Sequence, residues 1–185
     1  AGAVHPIPEI LDELRAGRMV VLVDDEQREN EGDLVCAAEF VTPAVVNFML
    51  REARGMLCVA LTPDICDRLA LDPQSRVSTA PRGTAYTVTV DADPRFGVTT
   101  GVSASDRATT IQLLAKPDTR IEDLNRPGHM QPLRARNGGC LVRAGQTEGS
   151  VDLCRLAGLR PAAAIIEVMN DDGTMARRPQ LEELC

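Results

Sequence analysis

Along the chain, short apolar runs alternate with stretches whose hydrophobic residues recur at helical spacing, a pattern that predicts a mixed α/β domain. Ile7, Ile10, Leu11 and Leu14 share one face of a first predicted helix, and Gly17 stands where a helix C-cap falls. Met19–Val23 reads as a buried strand, and Leu34–Ala38 as a second apolar run beyond a charged loop, Asp24 to Asp33. Thr42-Pro43 and Thr62-Pro63 each join an N-cap hydroxyl to proline at the first helical position, so a helix is expected after both. In the first of these Val46, Met49, Leu50 and Ala53 turn inward; the second ends near Leu69, with a strand, Met56–Leu61, between them.

The second half is less regular. Asp72 to Gly83, rich in Pro, Ser, Arg and Gly, is expected to be loop, and Ala85–Val90 alternates like a half-buried strand. A helix is expected from Ser103 to Ala115, and an irregular stretch from Asn125 to Pro132 around a Pro127-Gly128 turn. Cys140–Ala144 reads as a strand, Thr147–Ala157 as a helix stopped by Gly158, Ala163–Met169 as a strand, and Asn170-Asp171-Asp172-Gly173 as a turn. No repeat, low-complexity segment or linker interrupts the pattern, so residues 1–185 are read as one domain.

Composition narrows the partners. Acidic residues outnumber basic ones 27 to 20, giving a net charge of −7, and only Lys116 among the basic residues is not arginine. With four aromatic residues besides, the chain is ill suited to a nucleic-acid surface; a few arginines placed on a small anionic ligand fit better. No stretch approaches the roughly 18 apolar residues of a membrane span. The six cysteines show neither C-x-x-C pairs nor zinc spacing, so reduced thiols in a cytoplasmic protein are expected. The start of the chain has no basic region leading into an apolar run, and no signal peptide is expected.

Three places hold candidate chemistry. Asp24-Asp25-Glu26-Gln27-Arg28-Glu29-Asn30-Glu31-Gly32-Asp33 packs six carboxylates into ten residues. Such a run is either a solvated acidic hairpin or a set of hard oxygen ligands for Mg²⁺ or Mn²⁺, and Arg28 and Gly32 interrupt it as a ligand site would. At Arg143-Ala144-Gly145-Gln146-Thr147-Glu148 a predicted strand turns into a helix, which offers free N–H groups and the positive dipole end to an anion, or else an ordinary Thr147 cap. Thr99, Thr100, Ser103 and Asp106 repeat the glycine-turn-to-helix pattern. Beyond these, His129 sits in the Pro/Gly turn, and Glu167 interrupts an apolar strand, where an unpaired carboxylate is costly unless it faces water or a site. Cys58, in Met56-Leu57-Cys58-Val59, is most simply a small core hydrophobe.

Taken in order, the acidic run, Gly97-Val98-Thr99-Thr100-Gly101-Val102-Ser103-Ala104-Ser105-Asp106-Arg107, Arg126-Pro127-Gly128-His129 and Asn170-Asp171-Asp172-Gly173-Thr174-Met175-Ala176-Arg177 together resemble the 3,4-dihydroxy-2-butanone 4-phosphate synthase family. The resemblance is collinear from about Ile7 to Glu183. It implies a three-layer α/β sandwich around a mixed, twisted sheet and a homodimer with sites at its interface. It also implies Mg²⁺-dependent conversion of the sugar phosphate ribulose 5-phosphate into 3,4-dihydroxy-2-butanone 4-phosphate and formate. Carried over by position, it makes Glu29 a metal ligand flanked by the substrate contacts Arg28 and Asp33, and Arg143 and Thr147 phosphate contacts. His129 and Glu167 fall on the family's acid/base residues, and Cys58, Thr99 and Asp106 on positions around the pocket. One position departs: the family's second metal ligand, a His, is Gln146 here. An amide oxygen still suits Mg²⁺ but carries no proton near neutrality. That leaves open the family's lyase reaction, a homologue that stops after dehydration, or a protein that only binds the sugar phosphate.

Overall fold

The computed structural model describes residues 4–185, so residues 1–3, where the chain begins, lie outside it. Six strands form one sheet in the order β1 (Val20–Val23), β2 (Gly32–Ala37), β6 (Ala162–Glu167), β3 (Cys58–Leu61), β5 (Leu124–Arg134), β4 (Val90–Ala92). Only β3 and β5 run parallel; every other neighbour is antiparallel, which makes the sheet mixed. The central strands are largely apolar because both faces are covered: every residue of β2 and β3 is buried, Asp33 among them. Alternation along them sorts the core into two layers. Leu34, Cys36, Val59, Ala164 and Ile166 pack with Val46 and Met49 of α2 (Pro43–Glu52) and Ile111 and Leu114 of α4 (Ala104–Ala115). Val35, Cys58, Ala60, Ala163 and Ile165 pack with Leu14 of α1 (Ile7–Arg15) and Val151 and Cys154 of α5 (Gln146–Leu156). The result is the expected three-layer sandwich.

Side-chain caps hold at three of the six described helix starts. Thr42 accepts the Val45 N–H at 3.2 Å and Thr62 that of Ile65 at 3.4 Å, the latter opening α3 (Pro63–Arg68), while Ser103 caps α4. Gly17 follows α1 at φ +75°, a left-handed conformation that glycine enters without strain. A last helix, α6 (Arg178–Leu184), lies where the sequence pattern gave no signal.

Three expectations are corrected. Cys140–Ala144 is not a strand: Gly138 and Gly139 both take positive φ, the chain makes a short 3-10 turn over Gly139–Leu141, and Leu141 is 98% exposed. Asn125–Pro132 is not irregular but lies within β5, the longest strand. Its Pro-Gly-His segment is a bulge: Val90 faces Met130 and Asp91 faces Asn125, so Arg126–His129 project out between two paired positions. Gly128 is required there, since a Cβ would overlap the Val90 backbone. Third, Ala85–Val90 touches the sheet only through bridges such as Tyr86 to Leu133, and the regular strand begins at Val90.

Candidate active site

The ends of β2, β3 and β6 and the start of α5 enclose a cavity of about 370 Å³ on the α5 side of the sheet. Sheet register builds its floor. Asp33 lies directly across from Glu167, and Cys58 across from Ile165, and alternation turns all four to the same face. Asp33 belongs to β2 rather than to the charged loop, and its carboxyl is buried with Oδ1 unpartnered. Burial, and then the charges of Glu167, Glu31 and Glu29, push its pKa well above the usual carboxylate range. The Glu167 Oε2 accepts the Met56 N–H at 2.8 Å. Gly55 makes that approach possible, because a Cβ there would overlap the Glu167 carbonyl oxygen. Burial, then the charges of Glu167 and Asp33, raises the Cys58 thiol far above its ordinary value, so it is a protonated wall of the cavity and not a thiolate nucleophile.

The acidic run closes the β1–β2 hairpin with Asp25, Glu26 and Gln27 exposed, but its second half, from Arg28 to Asp33, is not a solvated loop. Asp24 folds it inward, its Oδ2 accepting the Glu29 N–H at 3.0 Å and Arg28 Nη1 at 2.7 Å. Asn30 turns the chain at φ +54°, and Arg177, from the last sequence motif, donates to the carbonyls of Glu29 and Asn30. Held this way, Glu29 and Glu31 line the cavity. Burial, then Glu29, pushes the Glu31 pKa up.

Arg28, which does not itself line the cavity, has its Nη1 3.1 Å from Glu29 Oε2 and donates to Gln146 Oε1 at 3.1 Å. The two oxygens assigned to a metal therefore converge on one cationic atom. Among the described residues no group of three His, Cys, Asp or Glu side chains is placed to hold an ion. The donor set that does converge is one carboxylate and one amide oxygen, both hard, with space for water, and that fits Mg²⁺.

The anion end is built by α5. Its N-cap is Gly145, not Thr147; Gly145 is extended and offers no side chain, so the first N–H groups of the helix remain available while Thr147 sits inside the first turn, buried against the cavity. Arg143 Nη1 donates to the buried Glu148 at 2.6 Å and Nη2 to Thr84 at 3.1 Å, which aims the guanidinium across the cavity. Arg82, Thr84 and Tyr86 line the same space. Sequence reasoning passes over all three, within or beside a nominal loop; the signal available is a cationic and a hydroxyl residue flanking Gly83 just before a strand.

The remaining candidates gather elsewhere. Thr99, Asp106 and His129 do not line this cavity. Asp106 Oδ2 accepts the Thr99 hydroxyl at 2.8 Å and the Gly101 N–H at 3.0 Å. Burial raises its pKa, but these bonds outweigh burial and hold it below the usual range. Beside it, His129 Nδ1 lies 2.7 Å from Asp91 Oδ2, with the ring half-exposed.

Against known proteins the chain matches the family described as 3,4-dihydroxy-2-butanone 4-phosphate synthase over residues 8–185. It is 55% identical over 181 residues to the riboflavin biosynthesis protein RibBA of Aquifex aeolicus, covering 98% of this chain and 45% of that protein. It is 51% identical over 178 residues to the 3,4-dihydroxy-2-butanone 4-phosphate synthase of Neisseria meningitidis serogroup B, covering 96% of this chain and 48% of that one. The chain thus spans about half the length of the curated relatives it matches. A solved 3,4-dihydroxy-2-butanone 4-phosphate synthase in complex with two magnesium ions superposes with a TM-score of 0.94 at 42% identity, over 98% of this chain and 88% of that chain. The family match, the superposition and the identity along nearly the whole sequence agree, and the chain belongs to the 3,4-dihydroxy-2-butanone 4-phosphate synthase family.

Proposed function

We propose that residues 1–185 form one catalytic domain that converts ribulose 5-phosphate into 3,4-dihydroxy-2-butanone 4-phosphate and formate. The observation that carries this reading is the cavity that joins an anion site at the start of α5 to four carboxyl groups and the Gln146 amide. The substrate phosphate binds Arg143, the Thr147 hydroxyl and the free N–H groups of α5, and Arg82 closes over it. Glu148, bonded to Arg143, holds that guanidinium in place.

At the other end, Glu29 and Gln146 would hold Mg²⁺, or Mn²⁺, with water completing the shell, and Arg28 would keep its bond to Asp24. When bound, the ion polarises neighbouring carbonyl and hydroxyl oxygens of the sugar. Glu167, anchored by the Met56 N–H, takes and returns the carbon-bound proton of enolisation. Asp33, kept protonated by its burial, gives a proton to the departing hydroxyl. Cys58 packs against the sugar chain and supplies a neutral S–H.

His129 completes the site from a second copy. It is half-exposed, it does not line its own cavity, and Met56, which lines that cavity, is 48% exposed beside Tyr86 at 39%. A homodimer in which Thr99, Asp106 and His129 of one copy cover the cavity of the other uses both observations. No helix among the described residues is long and apolar enough to cross a membrane, and the free cysteines suit a reducing cytoplasm. The direct test is to incubate the protein with ribulose 5-phosphate and Mg²⁺ and quantify formate. Formate equimolar with consumed substrate is expected, and no consumption at high protein concentration would overturn the reading.

A further inference from the structure

Arg82 stands in the loop between α3 and β4, outside every motif that the sequence offers, yet it touches both ends of the cavity. Its carbonyl accepts Arg143 Nε at 3.2 Å, at the anion end. Its side chain runs the other way: Nη2 donates to the Arg28 carbonyl at 2.7 Å, and Nε lies 3.9 Å from Glu29 Oε1. Arg143 also donates to Thr84, so one guanidinium pins the loop on both sides of Gly83. Gly83 makes the turn between them at φ +66°, which a residue with a Cβ enters only under strain. The Arg82 side chain is 51% exposed against 26% for Glu29, so it covers that carboxylate from the solvent side.

Each oxygen of Glu29 therefore faces its own guanidinium, Oε2 that of Arg28 and Oε1 that of Arg82. The two arginines are not equally held. Arg28 is 18% exposed and is tied to Asp24 and Gln146 besides, whereas the only bond Arg82 makes on this side is to a neutral carbonyl. A divalent cation on Glu29 repels the looser of the two, and an anion beside Arg143 attracts it. We propose that Arg82 is a specificity-determining switch that screens Glu29 until the anionic end of a substrate draws it away, so that anion and metal bind cooperatively. A sugar without a phosphate leaves Arg82 on Glu29 and recruits the metal poorly. Linkage makes the effect reciprocal: the metal tightens the anion by the same factor. This rests on the reading that places the metal at Glu29 and Gln146 and the phosphate at Arg143.

The experiment measures Mn²⁺ binding to the full chain by electron paramagnetic resonance of the free ion, with and without inorganic sulfate as the anion probe. Sulfate is expected to tighten Mn²⁺ binding to the wild type on the order of fivefold or more. Arg82→Gln removes the charge from Glu29, so without sulfate it should bind Mn²⁺ roughly 2- to 5-fold more tightly than the wild type. In that variant the sulfate effect should shrink to less than about twofold, on the same linkage argument. Arg82→Lys keeps the charge and should keep most of the coupling. A Gln variant that binds Mn²⁺ no better alone, or that retains the wild-type sulfate effect, overturns the proposal, as does a Lys variant that behaves like the Gln one. A wild type that binds no Mn²⁺ under either condition removes the metal site and the switch together. Coupling without formate from ribulose 5-phosphate sinks the enzymatic reading and leaves the switch; formate without coupling does the reverse.

Discussion

The cavity between β2, β6 and α5 and the cluster on the β4–β5 bulge hold their polar groups by opposite means. In the cavity, carboxyls are crowded and desolvated: Asp33 is buried opposite Glu167, one of its oxygens has no partner, and its pKa is driven up. On the bulge the groups are satisfied: Asp106 gathers hydrogen bonds from Thr99 and Gly101, and Asp91 turns both oxygens to His129. A crowded site stores unmet electrostatic demand that a cation, a phosphate or a proton can answer. A satisfied one supplies orientation. On the dimeric reading, the residues of one family site are divided between a demanding half and a presenting half, which two copies bring together.

Mixing two dead variants breaks or confirms that division most sharply. Glu167→Gln disables the cavity and His129→Ala the bulge, each lowering kcat by roughly 10²- to 10⁴-fold. If the halves belong to different copies, refolding the variants together yields mixed dimers in half of cases, each with one intact site. About a quarter of wild-type formate release should return in the mixture. No recovery, with mixed dimers verified by mass spectrometry, would place both groups in one copy.

Within the cavity, the anion end and the metal end should separate. Arg143→Met removes the cation and leaves Glu148 buried without its partner, so KM for ribulose 5-phosphate should rise and stability fall by about 3–5 kcal/mol. Thermal unfolding and steady-state kinetics read the two effects independently. Gln146→His restores the ligand type that the family resemblance places there. Changes at a metal ligand or its surroundings shift metal affinity on the order of 10- to 100-fold, so titration calorimetry should show tighter Mg²⁺ or Mn²⁺ binding. Affinity for inorganic phosphate should stay the same, because Arg143 and the helix start are untouched. Neither Gln146 nor Glu29 touches the bulge, and the His129 ring should not respond to the ion in a single copy.

The same contrast explains what the sequence made legible. Short apolar runs located β1, β2, β3 and β6, and helical spacing with start signals located five of the six helices, because those elements bury one stripe or both faces. The cavity residues were legible as motifs, since Glu29, Arg143 and Glu167 are charges set among glycines or apolar runs. What failed was long-range. Pro127, Gly128 and Pro132 look like strand breakers, and nothing local tells that β3 and β4 pair on either side of them to make β5. Gly138-Gly139 made an apolar stretch into an exposed turn, and the same blindness hid Asp91, which gains its meaning only from a residue 38 positions away. The family resemblance implies a homodimer with sites at its interface, but motif order along one chain does not say which copy would supply which group.

The smallest effect expected is also the one that ties Asp33 to the crowding. Its pKa is raised in the folded protein by burial and by Glu167, Glu31 and Glu29. Below the ordinary carboxylate range Asp33 is protonated in both the folded and unfolded chain, and its burial then costs least. As pH rises past that range, the unfolded chain releases the proton while the folded one retains it, so the unfolded state binds fewer protons and stability falls with pH. Asp33→Asn keeps the shape, cannot ionise and removes that loss. The variant should therefore match the wild type in Tm near pH 4 and gain progressively toward pH 8, by roughly 2–4 °C for each kcal/mol recovered. Its formate release should fall, because the amide cannot give the departing hydroxyl a proton. An equal gain at every pH would mean that the amide merely packs better there, and a loss of stability at pH 8 would mean that the carboxylate is ionised and already matched by a cation. Asp106→Asn supplies the opposite sign on the bulge: its folded pKa is lowered, so its contribution is present above the ordinary carboxylate range and the variant should lose stability most at neutral pH and least in acid. Opposite pH slopes for the two asparagine variants are what a demanding half and a presenting half require.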